Sequence, residues 1–347
     1  MSRHFEAAGA GGAGAGPDAA AGAGPGAPLI TVLTPCFNEE ENVDALYARI
    51  KAAFAQVPEC RYQHVFCDND SKDRTVERIK ALAHLDPAVK LIVNNRNFGH
   101  IRSPLHAFYQ VSGDAVIIMA SDLQDPPELL PQFVRKWREG YKVVIGVKPK
   151  SKESFLMAQM RRSYYAFVGK ISDVPLVPNF TGFGLYDREV VEMVRSIDDR
   201  YPYFRGLIAD LGYPRAEIQF VQPRRERGIT KNNFYTLYDN AMLGITNHSK
   251  IPLRIATFCG FAMSIVSLLI ALAYLIAKLV FWNSFSLGTA PLVIGVFFLG
   301  AVQLFFIGIL GEYIGAIHTQ VHKRPLVTEK ERVNFDSERP PDARRDE

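Results

Sequence analysis

The sequence predicts an α/β domain built on a mostly parallel, Rossmann-like sheet, followed by a C-terminal hairpin of two transmembrane helices. Two observations support this fold class. In the first half of the chain, short runs of branched apolar residues alternate with segments of helical periodicity, which is the pattern of a parallel sheet covered by helices. In the last third, Ile255–Ala277 and Leu279–Gly311 carry no charged residue, and each exceeds the roughly 20 residues that a membrane helix needs.

The composition excludes some classes of protein. The chain has 347 residues, with 40 Lys and Arg against 36 Asp and Glu, and a net charge of +4 is too small to predict a nucleic-acid partner. The four cysteines lack the Cys-x-x-Cys spacing of zinc sites and form no disulfide framework, so we expect a reducing compartment. We expect no secretory signal peptide, because the N-terminus has no apolar run.

The elements can be predicted in chain order. Residues 1–28 are dominated by Ala, Gly and Pro and have too few apolar side chains to offset the entropy of ordering, so we expect a disordered tail. A buried strand at Leu29–Leu33 ends before Pro35, and Asn38–Asn42 opens a helix with apolar residues at helical spacing. Further strands are expected at His64–Cys67, Lys90–Val93, Ala115–Met119 and Lys142–Gly146, and further helices at Thr75–His84 and Ile101–Ser112.

Three polar turns follow the first, second and fourth of these strands. They are Pro35–Glu39, Asp68–Asp73 and Ser121–Asp125. In doubly wound sheets, ligands bind beyond the carboxyl ends of the parallel strands, where such turns meet. The sequence therefore predicts one site at this edge of the sheet.

The first two turns offer groups that can hold a nucleoside. Neither Gly-x-Gly-x-x-Gly after the first strand nor a P-loop motif occurs, which argues against dinucleotide and P-loop sites. Phe37 offers an aromatic edge, and Glu39 and Asp68 offer carboxylates, for a base and a ribose. The alternative is a helix N-terminus enriched in acidic residues that complement the helix dipole.

The third turn offers ligands for a divalent cation. Asp122 and Gln124 carry the hard oxygen atoms that Mg²⁺ and Mn²⁺ prefer, and such an ion can bridge a diphosphate. The alternative is a structural role in which Asp125 caps the helix that starts at Pro126–Pro127. The two roles are compatible, with Asp125 as the cap and Asp122 as the ligand.

The two uncharged stretches predict membrane spans near 255–277 and 290–312, joined by a short loop at Asn283–Thr289. Buried helices of a soluble protein are the alternative, although two adjacent runs of this length are unusual in a globular core. Basic residues flank the outer ends of the hairpin, and the loop side carries only Lys278, so both ends and the N-terminal domain are expected in the cytoplasm. Apolar residues at helical intervals in 231–252 predict an amphipathic helix on the bilayer surface.

Several short motifs occur in a fixed order along the chain. They are Thr34–Glu39, Asp68–Thr75, Asp122–Glu128, Tyr203–Ile208, Arg225–Lys231, Gly311–Gly315 and Arg324–Pro325. Together with the paired C-terminal spans, they resemble the polyisoprenyl-phosphate glycosyltransferases of glycosyltransferase family 2, such as dolichol-phosphate mannose synthases and bactoprenol glucosyltransferases. The resemblance runs from Leu29 to about Leu326, nearly the whole chain outside its tails.

The resemblance implies a nucleotide-diphospho-sugar transferase that moves a sugar to polyprenyl phosphate by direct attack, with inversion at the anomeric carbon. It implies a nucleotide site formed by Pro35, Phe37, Glu39, Asp68, Ser121 and Asp122, and an Mg²⁺ or Mn²⁺ ion held by Asp122 and Gln124. It places the acceptor phosphate at Arg205, Arg225, Thr230 and Lys231. The catalytic residues that it implies are Asp122, Arg225 and Lys231.

The resemblance also implies an organisation in the membrane. The catalytic domain at 29–230 is expected on the cytoplasmic face of the inner membrane, followed by the interfacial region at 231–252. The two spans are expected within 253–318, and the remainder, 319–347, is expected as a cytoplasmic tail. Assembly as a homo-oligomer stays open.

Two departures from the family pattern define the alternatives. Ala120 stands where the family's Asp-x-Asp motif has its first carboxylate, and Asp68-Asn69-Asp70 stands where Asp-Asp-Gly is usual. A catalytically inactive homologue that acts as a membrane scaffold is therefore the alternative function. A processive polysaccharide synthase is a second alternative, but the Gln-x-x-Arg-Trp motif of such enzymes is absent from the sequence. The sugar stays open, and family frequency favours UDP over GDP as its carrier.

Overall fold

In the part of the chain that the structure describes, strands and helices are followed by two long helices and a short strand. The computed structural model describes residues 26–148, 177, 179–197, 199, 201–223, 242–246, 249–281, 289–321 and 325–335. The strands are β1 (Leu29–Cys36), β2 (Arg61–Asp68), β3 (Val89–Asn94), β4 (Ala115–Ile118), β5 (Val143–Val147), β6 (Phe180–Asp187), β7 (Arg215–Gln219) and β8 (Glu329–Val333). The helices are α1 (Val43–Phe54), α2 (Thr75–Leu85), α3 (Gly99–Gln110), α4 (Leu130–Arg138), α5 (Arg188–Ile197), α6 (Phe204–Asp210), α7 (Ile251–Val280) and α8 (Thr289–Val321), and a 3₁₀ turn covers Pro127–Leu129.

The described strands form one eight-stranded sheet in the order β7-β5-β6-β4-β1-β2-β3-β8. At its centre, β1 pairs in parallel with both β2 and β4, and β2 pairs in parallel with β3. The strand β6 is antiparallel to β4 and β5, and β8 is antiparallel to β3. The predicted α/β class with a mostly parallel sheet is confirmed.

Helices cover both faces of this sheet, because successive side chains of each strand point to opposite faces. On one face, Val32, Phe66 and Ile117 form a core with buried side chains of α1, α2 and α4. On the other face, Leu33 and Val65 form a core with α3, α5 and α6. All five of these strand side chains are completely buried, and such burial is the main favourable term in folding.

Three strands were not predicted from the sequence. The strand β6 contains Gly182 and Gly184, which interrupt an apolar pattern, yet it lies between β4 and β5, so β5 is not the neighbour of β4. A Cβ atom at Gly184 would come within 2.7 Å of the Val144 carbonyl oxygen, so this pairing requires glycine. The other two, β7 and β8, lie at the edges of the sheet, and they are rich in charged residues, as edge strands commonly are.

The two long helices have the length and composition of membrane spans. The candidate spans are Ile251–Ile270 and Gly295–Val321, with mean hydropathies of 2.0 and 1.8, and neither window is buried inside the protein. Large apolar side chains such as Phe258, Leu268 and Phe297 are 72%, 69% and 74% exposed, which is not the environment of a soluble core helix. The predicted spans lie inside α7 and α8.

Several predictions fall on residues outside those that the structure describes. The N-terminal tail up to residue 25, most of the interfacial region 231–252 and most of the loop at Asn283–Thr289 belong to this group. The helix predicted to open at Asn38 begins at Val43, because residues 37–42 form turns instead.

The chain returns to the sheet after α8. The strand β8 pairs with β3, and Glu329 accepts a hydrogen bond of 2.5 Å from Nε2 of His106 on α3. Arg332 donates to Glu329 and, over 2.9 Å, to Gln110 at the end of α3. Arg102, also on α3, donates to the Pro325 carbonyl oxygen over 2.8 Å. The segment that follows the second span is therefore bonded to both β3 and α3.

The burial of His64 predicts how the stability of the fold depends on pH. This histidine is completely buried in β2, and burial lowers its pKa to about 3, with a small opposing effect of Asp86. An unfolded histidine titrates near pH 6.5, so below that pH the unfolded state binds a proton that the folded state does not. Stability should therefore fall by up to about 1.4 kcal/mol per pH unit as the pH drops from about 6.5 to 5.

His64→Gln should make this slope shallower, because glutamine cannot take up the proton. The measurement is thermal unfolding of detergent-purified protein between pH 7.5 and 5. His84 is exposed, so His84→Gln is the control and should keep the parent slope. If stability falls equally steeply with pH in the parent and in His64→Gln, the lowered pKa of His64 is not the cause of the slope.

Candidate active site

The turns after β1 and β2 are bonded to each other. The backbone N–H of Asn38 donates to Ser71 Oγ over 2.8 Å, and Asn38 Oδ1 accepts from the N–H of Lys72 over 2.8 Å. The N–H of Glu39 donates to Thr75 Oγ1, also over 2.8 Å. Asn38 has a φ of 55°, in the left-handed region that asparagine tolerates better than most residues. These bonds hold the two turns side by side.

Asp68, the last residue of β2, is completely buried at this edge. Its Oδ2 accepts from the backbone N–H of Ser71 over 3.0 Å, and its Oδ1 lies 4.0 Å from the Cys36 sulfur. Burial raises the pKa of the Asp68 carboxyl, and hydrogen bonds from Ser71 act in the opposite direction. The turn itself therefore fixes the position of this carboxyl group.

Phe37 and Glu39 are half-buried in the first turn. Glu39 Oε2 accepts from the Asn42 side-chain amide over 2.6 Å, and the Glu39 carbonyl accepts from the Asn42 N–H over 2.9 Å. Glu39 thus bonds to the residue that precedes α1, so the helix-terminus alternative has structural support at this position.

The third turn contains both predicted metal ligands, Asp122 and Gln124. Asp122 Oδ1 accepts from the backbone N–H of Gln124 over 3.2 Å. Leu123, between them, has a φ of 59°, a conformation that is strained for a residue without a short polar side chain. The surrounding structure imposes this sharp reversal, which sets the directions of the side chains on either side of Leu123.

Asp125 does not cap the following helix, so that prediction is wrong. Its Oδ2 accepts from the backbone N–H of Ala120 over 3.0 Å, and the 3₁₀ turn after Pro126 has no side-chain cap. Asp125 is 7% exposed, and burial raises its pKa to about 6, with a lowering effect of Lys148 and a raising effect of Asp122. This carboxyl group therefore joins the two ends of the third turn and lies at the edge of the sheet.

A cavity of about 480 Å³ lies beyond the carboxyl ends of β1 and β4. Its walls come from α3, the end of β4, the beginning of β6 and the start of α6, and Leu243 of the helical segment 242–246 closes one side. Most of the lining is apolar, including Phe108 and Phe183, and the polar side chains of Asp125, Arg205 and His100 also line the cavity. Asp125, which sequence analysis assigned to a cap, therefore lines the cavity.

Arg205 is the predicted acceptor residue that the described residues include. It lines the cavity and donates from Nη1 to the Phe180 carbonyl oxygen over 3.2 Å. Its guanidinium carbon lies 5.0 Å from the centre of the Tyr203 ring, within the range of a cation–π contact. These contacts hold the Arg205 guanidinium beside a mostly apolar cavity that Asp125 also lines.

The predicted site residues fall into three groups. Pro35 and Arg205 line the cavity together with Asp125. Phe37, Glu39, Asp68, Ser121, Asp122 and Gln124 lie in the three turns around it. Arg225, Thr230 and Lys231 lie outside the described residues.

The donor set of the third turn fits one kind of metal site. No group of three or more His, Cys, Asp or Glu side chains with metal-binding geometry occurs among the described residues. Asp122, Gln124 and Asp125 nevertheless offer hard oxygen atoms in one turn. Magnesium commonly uses one or two protein carboxylates and completes its shell with phosphate oxygens and water. The residues therefore fit an ion that is shared with a bound diphosphate and do not form a closed protein cage.

Comparison with known proteins identifies the family. Residues 31–195 match the family described as "Glycosyl transferase family 2". The SfII prophage-derived bactoprenol glucosyl transferase of Shigella flexneri is 35% identical over 297 residues, which are 85% of this chain and 96% of that protein. A prophage bactoprenol glucosyl transferase homolog of Escherichia coli K12 is 32% identical over the same shares of the two chains. The uncharacterized glycosyltransferase YkcC of Bacillus subtilis is 31% identical, with 89% of this chain and 95% of that one covered.

These relatives define a glycosyltransferase. The chain belongs to glycosyltransferase family 2, and the resemblance to the polyisoprenyl-phosphate branch of that family is confirmed. Among solved structures, mannosyl-3-phosphoglycerate synthase from Rubrobacter xylanophilus is similar with a TM-score of 0.45 and 15% identity, over 62% of this chain and 71% of that one. The family assignment rests on the sequence relatives and not on this structural likeness.

Proposed function

We propose that the protein transfers a sugar from a nucleotide diphosphate, with UDP the favoured carrier, to polyprenyl phosphate at the cytoplasmic face of the inner membrane. The observation that carries this proposal is a cavity at the strand ends that combines an apolar wall with Asp125 and Arg205, in a chain with two exposed apolar helices. An apolar wall suits a lipid acceptor, and the cation suits its phosphate. Relatives named bactoprenol glucosyl transferase support the same acceptor class.

For this reaction the protein mainly has to position the acceptor phosphate near the sugar and to neutralise the charge of the leaving group. A lipid monophosphate is anionic at neutral pH, so it needs no strong base to attack the anomeric carbon directly, with inversion. Arg205, with Arg225, Thr230 and Lys231, holds the phosphate oxygen near that carbon, since a guanidinium matches phosphate geometry. The residues that hold the nucleotide are Pro35, Phe37, Glu39, Asp68, Ser121 and Asp122.

The departing nucleotide diphosphate carries charge that must be neutralised. Asp122 and Gln124 are the residues that would hold a divalent cation, Mg²⁺ or Mn²⁺, whose charge stabilises this leaving group. Oxygen ligands of a single sharp turn suit a cation that also contacts the diphosphate.

An inactive membrane scaffold is the alternative function, and Ala120 is the observation that favours it. Ala120 lines the cavity with a methyl group where the family motif has a carboxylate, and its N–H is bonded to Asp125. The direct test is a screen of radiolabelled nucleotide sugars with membranes and added polyprenyl phosphate. Transfer of label to lipid by one of these sugars supports the enzyme, and no transfer from any of them supports the scaffold.

The return of the chain to the sheet supports the proposed topology independently of charge. The strand β8 follows the second helix and pairs with β3, which supports a hairpin whose two flanks lie on the same side of the membrane. Lys and Arg near these flanks favour the cytoplasmic side. The proposed order is therefore a cytoplasmic catalytic domain at 29–230, an interfacial region at 231–252, spans within 253–318 and a cytoplasmic tail at 319–347.

The first prediction of the proposed function concerns the cation. Asp122→Ala should lower sugar transfer by about 100-fold or more, because a lost charge-stabilising contact commonly costs that much. EDTA should suppress the parent enzyme, and added Mg²⁺ or Mn²⁺ should restore it. Asp44 is an exposed carboxylate paired with Arg78, so Asp44→Ala is the control and should change transfer less than twofold. Full activity of a folded Asp122→Ala protein would overturn the ligand assignment.

The second prediction concerns topology. A cysteine introduced by Ser286→Cys should react with a membrane-impermeant maleimide added outside the cell membrane. One introduced by Ser337→Cys should react only after permeabilisation. The parent chain controls for the native cysteines, of which Cys36, Cys60 and Cys67 are buried. The reverse labelling pattern would place the site away from cytoplasmic nucleotide sugars and would contradict the proposal.

The third prediction concerns the acceptor phosphate. If Arg225 binds phosphate oxygens as a planar fork, Arg225→Lys should reduce turnover by about 10-fold, while membrane attachment stays unchanged. If the basic stretch is only a collar attracted to anionic lipids, each charge contributes about 1 kcal/mol and lysine replaces arginine with little effect. Arg224→Lys is the matched control. Equal transfer rates for the two variants, measured against polyprenyl phosphate concentration, would remove Arg225 from the site.

A further inference from the structure

The side-chain amide of Asn69 joins the end of β2 to the segment between β3 and α3. Its Nδ2 donates to Asn97 Oδ1 over 3.0 Å and to the Gly99 carbonyl over 3.2 Å. Its Oδ1 accepts from Asn94 Nδ2 over 3.2 Å and from the Phe98 N–H over 2.9 Å. Asn69 is 7% exposed. All the hydrogen-bonding capacity of this amide is therefore used inside the protein.

These bonds require an amide and not the carboxylate that is usual at this place in the family motif. A carboxylate has no donor, so it would face Asn97 Oδ1 and the Gly99 carbonyl with oxygen against oxygen. Asn97 cannot turn round without cost, because its Oδ1 also accepts from the Gly99 N–H over 2.8 Å. The residue type at 69 and the conformation of 97–99 thus depend on each other.

The segment held by Asn69 leads directly into the wall of the cavity. His100 and Ile101, in the first turn of α3, line the cavity. Behind the same helix, Asn94 Nδ2 donates to Ser103 Oγ over 2.8 Å, and Ser103 Oγ lies 3.4 Å from the Cys67 sulfur. A polar network on one side of α3 therefore fixes a cavity wall on the other side.

We propose that Asn69 is a positioning residue for glycosyl transfer, acting through the 97–101 segment and without contact to the substrates. The proposal rests on the proposed function. Because reaction rates are sensitive to displacements of about 1 Å in bound groups, loosening this wall should affect turnover more than nucleotide affinity.

Asn334 offers a matched control. Its Nδ2 donates to the carbonyl oxygens of Ala83 and Val89 over 2.7 and 2.9 Å, and it does not line the cavity. Asn69→Asp and Asn334→Asp each turn an amide that donates to two oxygen atoms into a carboxylate. Asn69→Ala removes the same donors as Asn69→Asp without adding a charge next to Asp68, so it separates the loss of the anchor from electrostatic repulsion.

The experiment combines three measurements on the full-length protein in detergent. Hydrogen exchange of the amides at 98–101 should be faster by about 10-fold or more in both Asn69 variants and unchanged in Asn334→Asp. Turnover with polyprenyl phosphate should fall by about 30-fold in both Asn69 variants, and less than threefold in Asn334→Asp. The dissociation constant for UDP with Mg²⁺ should change less than threefold in Asn69→Ala.

The outcomes separate this proposal from the proposed function. Unchanged exchange at 98–101, or equal losses of turnover in Asn69→Ala and Asn334→Asp, would overturn the positioning role while leaving the transferase intact. A loss of UDP binding that accounts for the whole effect would overturn it as well. If the parent itself transfers no sugar, the proposed function fails and the catalytic role of Asn69 fails with it, whereas the exchange measurement still reports whether Asn69 holds the segment.

Discussion

The parallel pairing of β1 with β2 and β4 is the interaction on which the site depends. It aligns Cys36 with Asp68 at the end of two adjacent strands, so the turns that follow must meet at one edge. Backbone N–H groups of the first turn then donate to side chains of the second turn, as Asn38 does to Ser71 and Glu39 does to Thr75. The parallel direction of these strands thus places the three turns and the cavity at one edge of the sheet.

Burial at this edge makes the acidic side chains part of the fold as well as candidates for chemistry. Asp68 and Asp125 are both buried, and each accepts a backbone N–H from its own turn. Burial raises the pKa of both carboxyl groups, and the N–H contacts oppose the rise. Asp122 differs because it is only half-buried, and its Oδ1 accepts from the N–H of Gln124. This greater exposure agrees with the proposed role of Asp122 as a metal ligand.

The sequence allowed the central strands and their turns to be predicted, because buried parallel strands are continuous apolar runs. The strand β6 was not predicted because it contains Gly184, which interrupts the run of apolar residues. This glycine is required there because the backbone of Val144 comes too close for a side chain. The orientation of the Asp125 side chain was not predicted, for another reason. Leu123 adopts a left-handed conformation, and spacing alone does not show which of two nearby carboxylates such a turn points inward. The amide at Asn69 stood out only as a departure from the family motif, since its hydrogen-bond partners lie 25 or more residues away in sequence.

The return strand β8 connects the membrane hairpin to the chemistry. It leaves α8, pairs with β3 and places Glu329 against His106, on the helix whose other side lines the cavity. Bonds from Asn69 hold the beginning of that helix, and bonds from Glu329 and Arg332 hold its middle and end. If the acceptor is a lipid that enters from the bilayer, as proposed, its position relative to the sugar depends on how the spans are placed relative to the domain. Because α3 is bonded at its start to Asn69 and further along to Glu329 and Arg332, its position is fixed relative to both the turn after β2 and the strand that follows the second span.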